Sequence, residues 1–287
     1  MIISSKFDKS LYDYNKDIYA LLYRYHRRLR KFYESERQKH RKERKTAEYL
    51  LISPTNCGRT WLRVMMGRVL QQTYQIKGEI NLHHLYSFSE VNPHIPSIKA
   101  IHERYKQFGE NYQSHKIIFL ARDPRDALIS SYRRQEREKD SQNQYASLSD
   151  YICHSNELTQ YYIQFYNDWS KHKDQAQDFL LIRYEDMRKD TALVLREIMK
   201  FLKINVEEEI IEEAVNYASL ENMRKMEREG NSQVRAKVLL KRDPNNPESF
   251  KVGQGKVGGY KDKLAPEEKE LVDNIIREQL DPSYGYI

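Results

Sequence analysis

Three apolar runs, each followed by a stretch with helical patterning, limit the folds open to this 287-residue chain more than any other feature. They are "AEYLLIS" at 47–53, "HKIIFLAR" at 115–122 and "DFLLIRYE" at 178–185. Their apolar residues are continuous instead of alternating, which describes strands buried on both faces, as in a parallel sheet. A weaker run, "SIKAIH" at 97–102, adds a fourth strand. The stretches "RTWLRVMMGRVLQQTY", "DPRDALISSYRRQEREK" and "TALVLREIMKFLKI" supply the helices, with further helical segments near 148–172 and a last one in "APEEKELVDNIIREQL". Asp123 opens the second of these helices, with Pro124 in its first turn. Strand–helix alternation of this kind predicts an α/β domain: a central, mostly parallel sheet flanked by helices in three layers.

The ends of the chain differ from this core. Residues 16–46 predict a long basic helix, with Ile18, Leu21, Leu22, Tyr25, Leu29 and Phe32 near helical spacing in its first half. Residues 1–46 are therefore expected to form a helical extension packed on a domain at 47–287. The segment 229–262 reads as a long polar loop, a length usual for functional or disordered segments. Lys and Arg number 49 against 42 Asp and Glu, a net charge of +7 that attracts anions. The basic stretch at 24–45 also leaves open a nucleic-acid-binding protein, although a solvated helix explains it more simply. Cys57 and Cys153, the two cysteines, form neither a disulfide framework nor a zinc pattern, which favours a reducing cytoplasm. The first residues lack the apolar core of a signal peptide and no window reaches membrane-spanning length, so a soluble cytoplasmic protein is expected.

The first strand runs into "SPTNCGRTW" at 53–61. A strand, a tight turn and a helix start aim backbone N–H groups and the positive end of the helix dipole at one spot, which suits a phosphate. The nucleotide-kinase pattern requires Gly, four residues, then Gly-Lys-Ser/Thr. Here Ser53 and Arg59 take the places of the first Gly and the Lys, so a P-loop kinase is a poor fit but remains an alternative. Trp61 offers a surface for stacking a base.

Five stretches together resemble the sulfotransferases that use 3′-phosphoadenosine-5′-phosphosulfate (PAPS). "SPTNCGRTWL" resembles that family's 5′-phosphosulfate loop, YPKSGTTWL. "IIFLARDPRDALISSY" is similar to its 3′-phosphate motif, in which an arginine ends a strand and a serine follows eight residues on, here Arg122 and Ser130. "IRYEDM" resembles the stretch whose tyrosine, here Tyr184, lies beside the adenine. "ASLENM" at 218–223 resembles TSFEEM, placing Ser219, Leu220 and Met223 along the adenosine. "GQGKVGGYK" at 253–261 resembles RKGKVGDWK, which folds over the 3′-phosphate, here through Gln254, Gly255 and Lys256. The resemblance implies a P-loop-like fold and transfer of a sulfuryl group from PAPS, leaving 3′-phosphoadenosine-5′-phosphate (PAP). It implies no metal. The loop residues Asn56, Cys57, Gly58, Arg59, Thr60 and Trp61 would hold the cofactor, and the acceptor would be a hydroxyl or amine of a small molecule or carbohydrate.

Two departures stand out. The family's loop lysine, which helps neutralise the leaving phosphate, is Asn56 here; Arg59 is the natural substitute, with Arg63 one turn further along. Asn56 keeps one uncharged hydrogen bond to offer. The arginine and lysine of RKG become Gly253 and Gln254, leaving backbone N–H groups, Lys256 or Lys251 to contact phosphate. The acceptor must lose a proton as it attacks sulfur, so a base is needed. The resemblance places it at a histidine ending a strand, and His102 in "KAIHERY" is the candidate. Lys99 precedes His102 by three residues, which on a strand puts the two on opposite faces. Glu103, His94, His83 and His84 are the alternatives. The acceptor's identity and the oligomeric state have no sequence signature.

Overall fold

The computed structural model describes residues 34–105, 112–138, 145–154, 156–230, 250–253 and 255–286. The chain divides into two compact units, Met1–Thr46 and Ala47–Ile287. In the first unit, residues 34–46 form a helix, α1. The remainder of the predicted N-terminal helix lies outside the described residues, as does most of the polar loop at 229–262.

The second unit holds a four-stranded sheet in which every pairing is parallel. Its strands are β1 (Tyr49–Ile52), β2 (Ile98–Ile101), β3 (Lys116–Ala121) and β4 (Asp178–Arg183), in the order β2-β1-β3-β4. All four residues of β1 are buried, and so are five of the six in β3, as the continuous apolar runs predict. The helices are α2 (Arg59–Thr73), α3 (Tyr86–Val91), α4 (Pro124–Glu138), α5 (Leu148–His154), α6 (Asn156–His172), α7 (Tyr184–Lys189), α8 (Thr191–Phe201), α9 (Glu208–Tyr217), α10 (Leu220–Glu229) and α11 (Pro266–Gln279). Burying both faces of the sheet forms the core. Phe119 of β3 sits among Phe165, Tyr166 and Trp169 of α6 with ring centroids about 6 Å apart, a spacing at which aromatic pairs gain energy beyond simple burial.

The strand order places the site. From β1 the chain moves to β2 on one side, then crosses to β3 on the other, so the topology reverses direction between β1 and β3. In open parallel sheets, ligands bind outside the carboxyl ends of the strands at such a point. The two segments leaving β1 and β3 there are 53–58 and 122–123, and they hold the loop and the arginine singled out above. Among the described residues no helix is long and apolar enough to cross a membrane.

Candidate active site

The loop after β1 takes its shape from two residues with positive φ: Asn56 at 62° and Gly58 at 88°. Asparagine tolerates the left-handed region better than most residues. At Gly58 an added Cβ would lie 2.6 Å from the Tyr184 ring, so the chain's close approach as well as its φ demands glycine. Gly58 is the N-cap of α2. No side chain caps that end and no acidic residue occupies its first turn, so the first N–H groups and the helix dipole remain available to an anion. The Cys57 side chain turns away into the core beside Tyr166, and burial pushes its thiol up to about 12. Gly58→Ala should lower stability by about 1–3 kcal/mol from backbone strain and weaken PAP binding by displacing Tyr184; thermal melts and calorimetric titration of the variant check both.

The structure brings the stretch holding Arg122 and Ser130 directly to this loop. One Arg122 guanidinium nitrogen donates to Ser130 Oγ at 2.9 Å and to the carbonyl of Asn56 at 3.0 Å. The guanidinium lies 4.4 Å from the centre of the Tyr184 ring, and its Nε is buried without a hydrogen-bond partner. A buried donor of this kind is costly unless something fills the space before it. Tyr184 packs edge-on against Trp61, centroids 5.9 Å apart, and Arg188 covers the other ring at 5.6 Å. Trp61 Nε1 donates to the carbonyl of Ala218, which ties the loop to the start of α10. Leu220 and Met223 of α10 reach the cavity wall, whereas Ser219 serves as the N-cap of α10, accepting from the Asn222 N–H. A Cβ added at Gly255, whose φ is 65°, would come within 3.5 Å of the Arg188 guanidinium and 3.7 Å of the Tyr184 hydroxyl. Lys256 pairs with Asp262. Gln254 lies outside the described residues.

These groups line one cavity of about 670 Å³. His102, the residue after β2, is exposed on its wall, and its Nδ1 lies 2.8 Å from the Ser53 carbonyl oxygen. A carbonyl only accepts, so Nδ1 carries the proton and Nε2 keeps the lone pair a base requires. Desolvation by the cavity walls, with the guanidiniums of Arg59 and Arg63 close by, holds the imidazole down to about 3. It is neutral at pH 7. Arg59 donates to the carbonyl of Ile101, immediately before His102, and burial pushes its guanidinium down to about 10. His83 also lines the cavity, held down to about 2 by desolvation and the neighbouring cations Arg63 and Lys251. Lys99, Glu103, His84 and His94 are not on the wall. Glu103 and Lys99 are buried, and the Glu103 carbonyl accepts from Trp169 Nε1.

Sequence reasoning missed the supports. Tyr162 and Tyr166 stand one turn apart on α6 and are fully buried. The Tyr162 hydroxyl donates to the Thr55 carbonyl at 3.2 Å, while the Tyr166 hydroxyl accepts from the Arg122 N–H at 2.9 Å and lies 2.7 Å from its carbonyl oxygen. One helix face thus fixes the loop after β1 and the end of β3. Two carboxylates clamp the segment that covers them: Glu227 accepts from the N–H groups of Lys251 and Val252, and Asp126 from those of Gly258 and Tyr260. The i, i+4 spacing of the Tyr pair is the signal that could have placed both on one helix face; the two carboxylates had no local signal.

The sulfotransferase domain family model matches residues 46–283, and the chain belongs to that family. Similar proteins include an amine sulfotransferase of Oryctolagus cuniculus, 24% identical over 64% of this chain and 62% of that protein. Cytosolic sulfotransferase 16 of Arabidopsis thaliana is 20% identical over 83% of this chain and 77% of its own length. Among solved structures, mouse sulfotransferase SULT7A1 complexed with PAP superposes with a TM-score of 0.59 at 20% identity, covering 81% of this chain and 83% of that one. A retinol dehydratase in complex with androsterone and PAP gives a TM-score of 0.55 at 17% identity over 80% of each chain. At such identities the superpositions establish a shared fold. Against the amine sulfotransferase, the aligned region spans less than two thirds of the relative's length.

Proposed function

We propose that this protein transfers a sulfuryl group from PAPS to a hydroxyl or amine acceptor. The observation that carries this reading is the direct bond from Arg122 to both Ser130 and the Asn56 carbonyl, which joins two anion cradles at one end of the sheet with the Trp61 and Tyr184 rings beside them. The 5′-phosphosulfate lies on the N–H groups of 57–61 at the start of α2. The 3′-phosphate lies on Arg122 and Ser130, under the segment at 250–258. His102 Nε2 takes the acceptor proton as the acceptor attacks sulfur in line, and Arg59, held by Ile101 next to that base, stabilises charge growing on the leaving phosphate oxygen. Sulfuryl transfer requires positioning and charge stabilisation more than covalent help. Among the described residues no group of three or more His, Cys, Asp or Glu is arranged to hold a metal ion.

Thermal melting tests the class. PAP is expected to raise the melting temperature equally with and without Mg²⁺, since a ligand that binds only the folded state stabilises it. Stabilisation by ATP that needs Mg²⁺ would favour a kinase, and stabilisation by duplex DNA alone a nucleic-acid-binding protein.

A further inference from the structure

Two neighbouring strands end at the candidate site, and a carboxylate prolongs their pairing past the last ladder position. β3 and β4 stay in register as far as Ala121 and Arg183. Beyond them Arg122 and Asp123 lead into α4, while Tyr184 and Glu185 open α7. There Glu185 Oε1 accepts the Asp123 N–H at 2.9 Å, so a side chain takes over where the backbone ladder stops. The other carboxylate oxygen, Oε2, accepts the Tyr286 hydroxyl at 2.9 Å. Arg125 closes the ring. Its Nε and one terminal nitrogen donate to the two carboxylate oxygens of Asp123 at 2.9 and 2.7 Å. The same terminal nitrogen donates to the Tyr286 carbonyl at 3.1 Å. Asp123 and Tyr286 are buried. Glu185, Arg125 and Tyr286 are not on the cavity wall, whereas Arg122, Tyr184 and Asp126 are.

Charge alone does not explain a half-buried carboxylate behind the residue that would receive a phosphate. Burial pushes the Glu185 carboxyl up, while the Asp123 N–H and the Tyr286 hydroxyl favour its ionised form. Ionised, it repels a phosphate. What it supplies is two acceptor oxygens at fixed places. The geometry points to Glu185 as a positioning residue for the cofactor: with Tyr286 behind it, it fixes the Asp123 peptide and so aims the Arg122 guanidinium at the 3′-phosphate. The proposal rests on the sulfotransferase reading above. Tyr166 holds the Arg122 N–H and Glu185 holds the next one, so two consecutive N–H groups of this turn are each fixed by a side chain. Without the carboxylate the Asp123 N–H loses its partner in a buried place, and the turn must shift to find another. Arg122 moves with it, away from Ser130 and the Tyr184 ring.

Calorimetric titration with PAP tests it. Glu185→Ala should weaken binding at least about tenfold in the wild-type background and less than about threefold in an Arg122→Ala background, because a residue that works through Arg122 has nothing left to position there. Glu185→Gln removes the charge and keeps both bonds, its oxygen accepting from Asp123 and its nitrogen donating to the Tyr286 hydroxyl. It should recover most of the affinity that Ala loses. Tyr286→Phe removes a single hydroxyl, disturbs folding less, and should lower affinity about threefold. An equal loss in both backgrounds, or a Gln variant as weak as Ala, would overturn the positioning role and leave the sulfotransferase reading in place. So would unchanged affinity in Glu185→Ala, or in Tyr286→Phe should Glu185→Ala fail to fold. No binding of PAP by the wild type would remove the sulfotransferase reading itself, and this proposal with it.

Discussion

Arg122→Ala is expected to lower affinity for PAP by roughly tenfold to more than a hundredfold. A charge-assisted hydrogen bond contributes about 1.5–3 kcal/mol, and here one guanidinium serves several partners. It would face the 3′-phosphate, and it holds both Ser130 Oγ and the Asn56 carbonyl of the neighbouring loop. Truncation therefore removes a phosphate ligand and also loosens the cradle for the other phosphate. Ser130→Ala removes one neutral donor and should cost about 1 kcal/mol. Arg122→Lys keeps the charge without the fork and should fall between the two. Calorimetric titration orders the three variants; unchanged affinity in Arg122→Ala would take the 3′-phosphate away from this residue.

His102→Ala is expected to reduce turnover by about 10²–10⁴-fold, the usual contribution of a positioned base, while PAP affinity stays close to wild type. The pH dependence carries a second signature. Because its surroundings hold the folded-state imidazole far below the ordinary 6.5, His102 stays neutral, and able to accept a proton, as pH falls through 6.5. The acid limb of kcat/KM should accordingly lie well below pH 6.5. The unfolded chain takes up a proton near pH 6.5 and the folded one does not. The stability linked to this residue is therefore present above pH 6.5 and declines as pH falls towards 3. His83→Ala is the control. If it abolishes turnover and His102→Ala does not, the base belongs to the other histidine of the cavity.

How much the sequence discloses depends on how local each signal is. Continuous apolar runs mark β1 and β3 because a strand buried on both faces needs apolar residues at every position; the run of β4 marks a strand too, but at the edge of the sheet only Ile182 of its six residues is buried. α2 and α4 follow from their spacing and from Pro124. The short helices α3 and α7 had no such pattern, and Tyr184 and Met187 of α7 are buried through tertiary packing instead. At the candidate site, Gly58 was marked by the strand–turn–helix pattern of its loop, whereas Arg122, Ser130 and Tyr184 were marked by the resemblance of their stretches to the family's motifs. The route of the Arg59 side chain to the Ile101 carbonyl was not, since it depends on β2 lying next to β1. The clamps formed by Asp126 and Glu227 join residues 132 and 24 positions away in sequence, and no local pattern announces them.

A crystal structure of the protein with PAP is expected to show the 5′-phosphate on the N–H groups of residues 57–61, the 3′-phosphate within hydrogen-bond distance of Arg122 and Ser130, and the adenine beside Trp61 and Tyr184. PAP bound elsewhere, or bound with its 3′-phosphate away from Arg122, would contradict it.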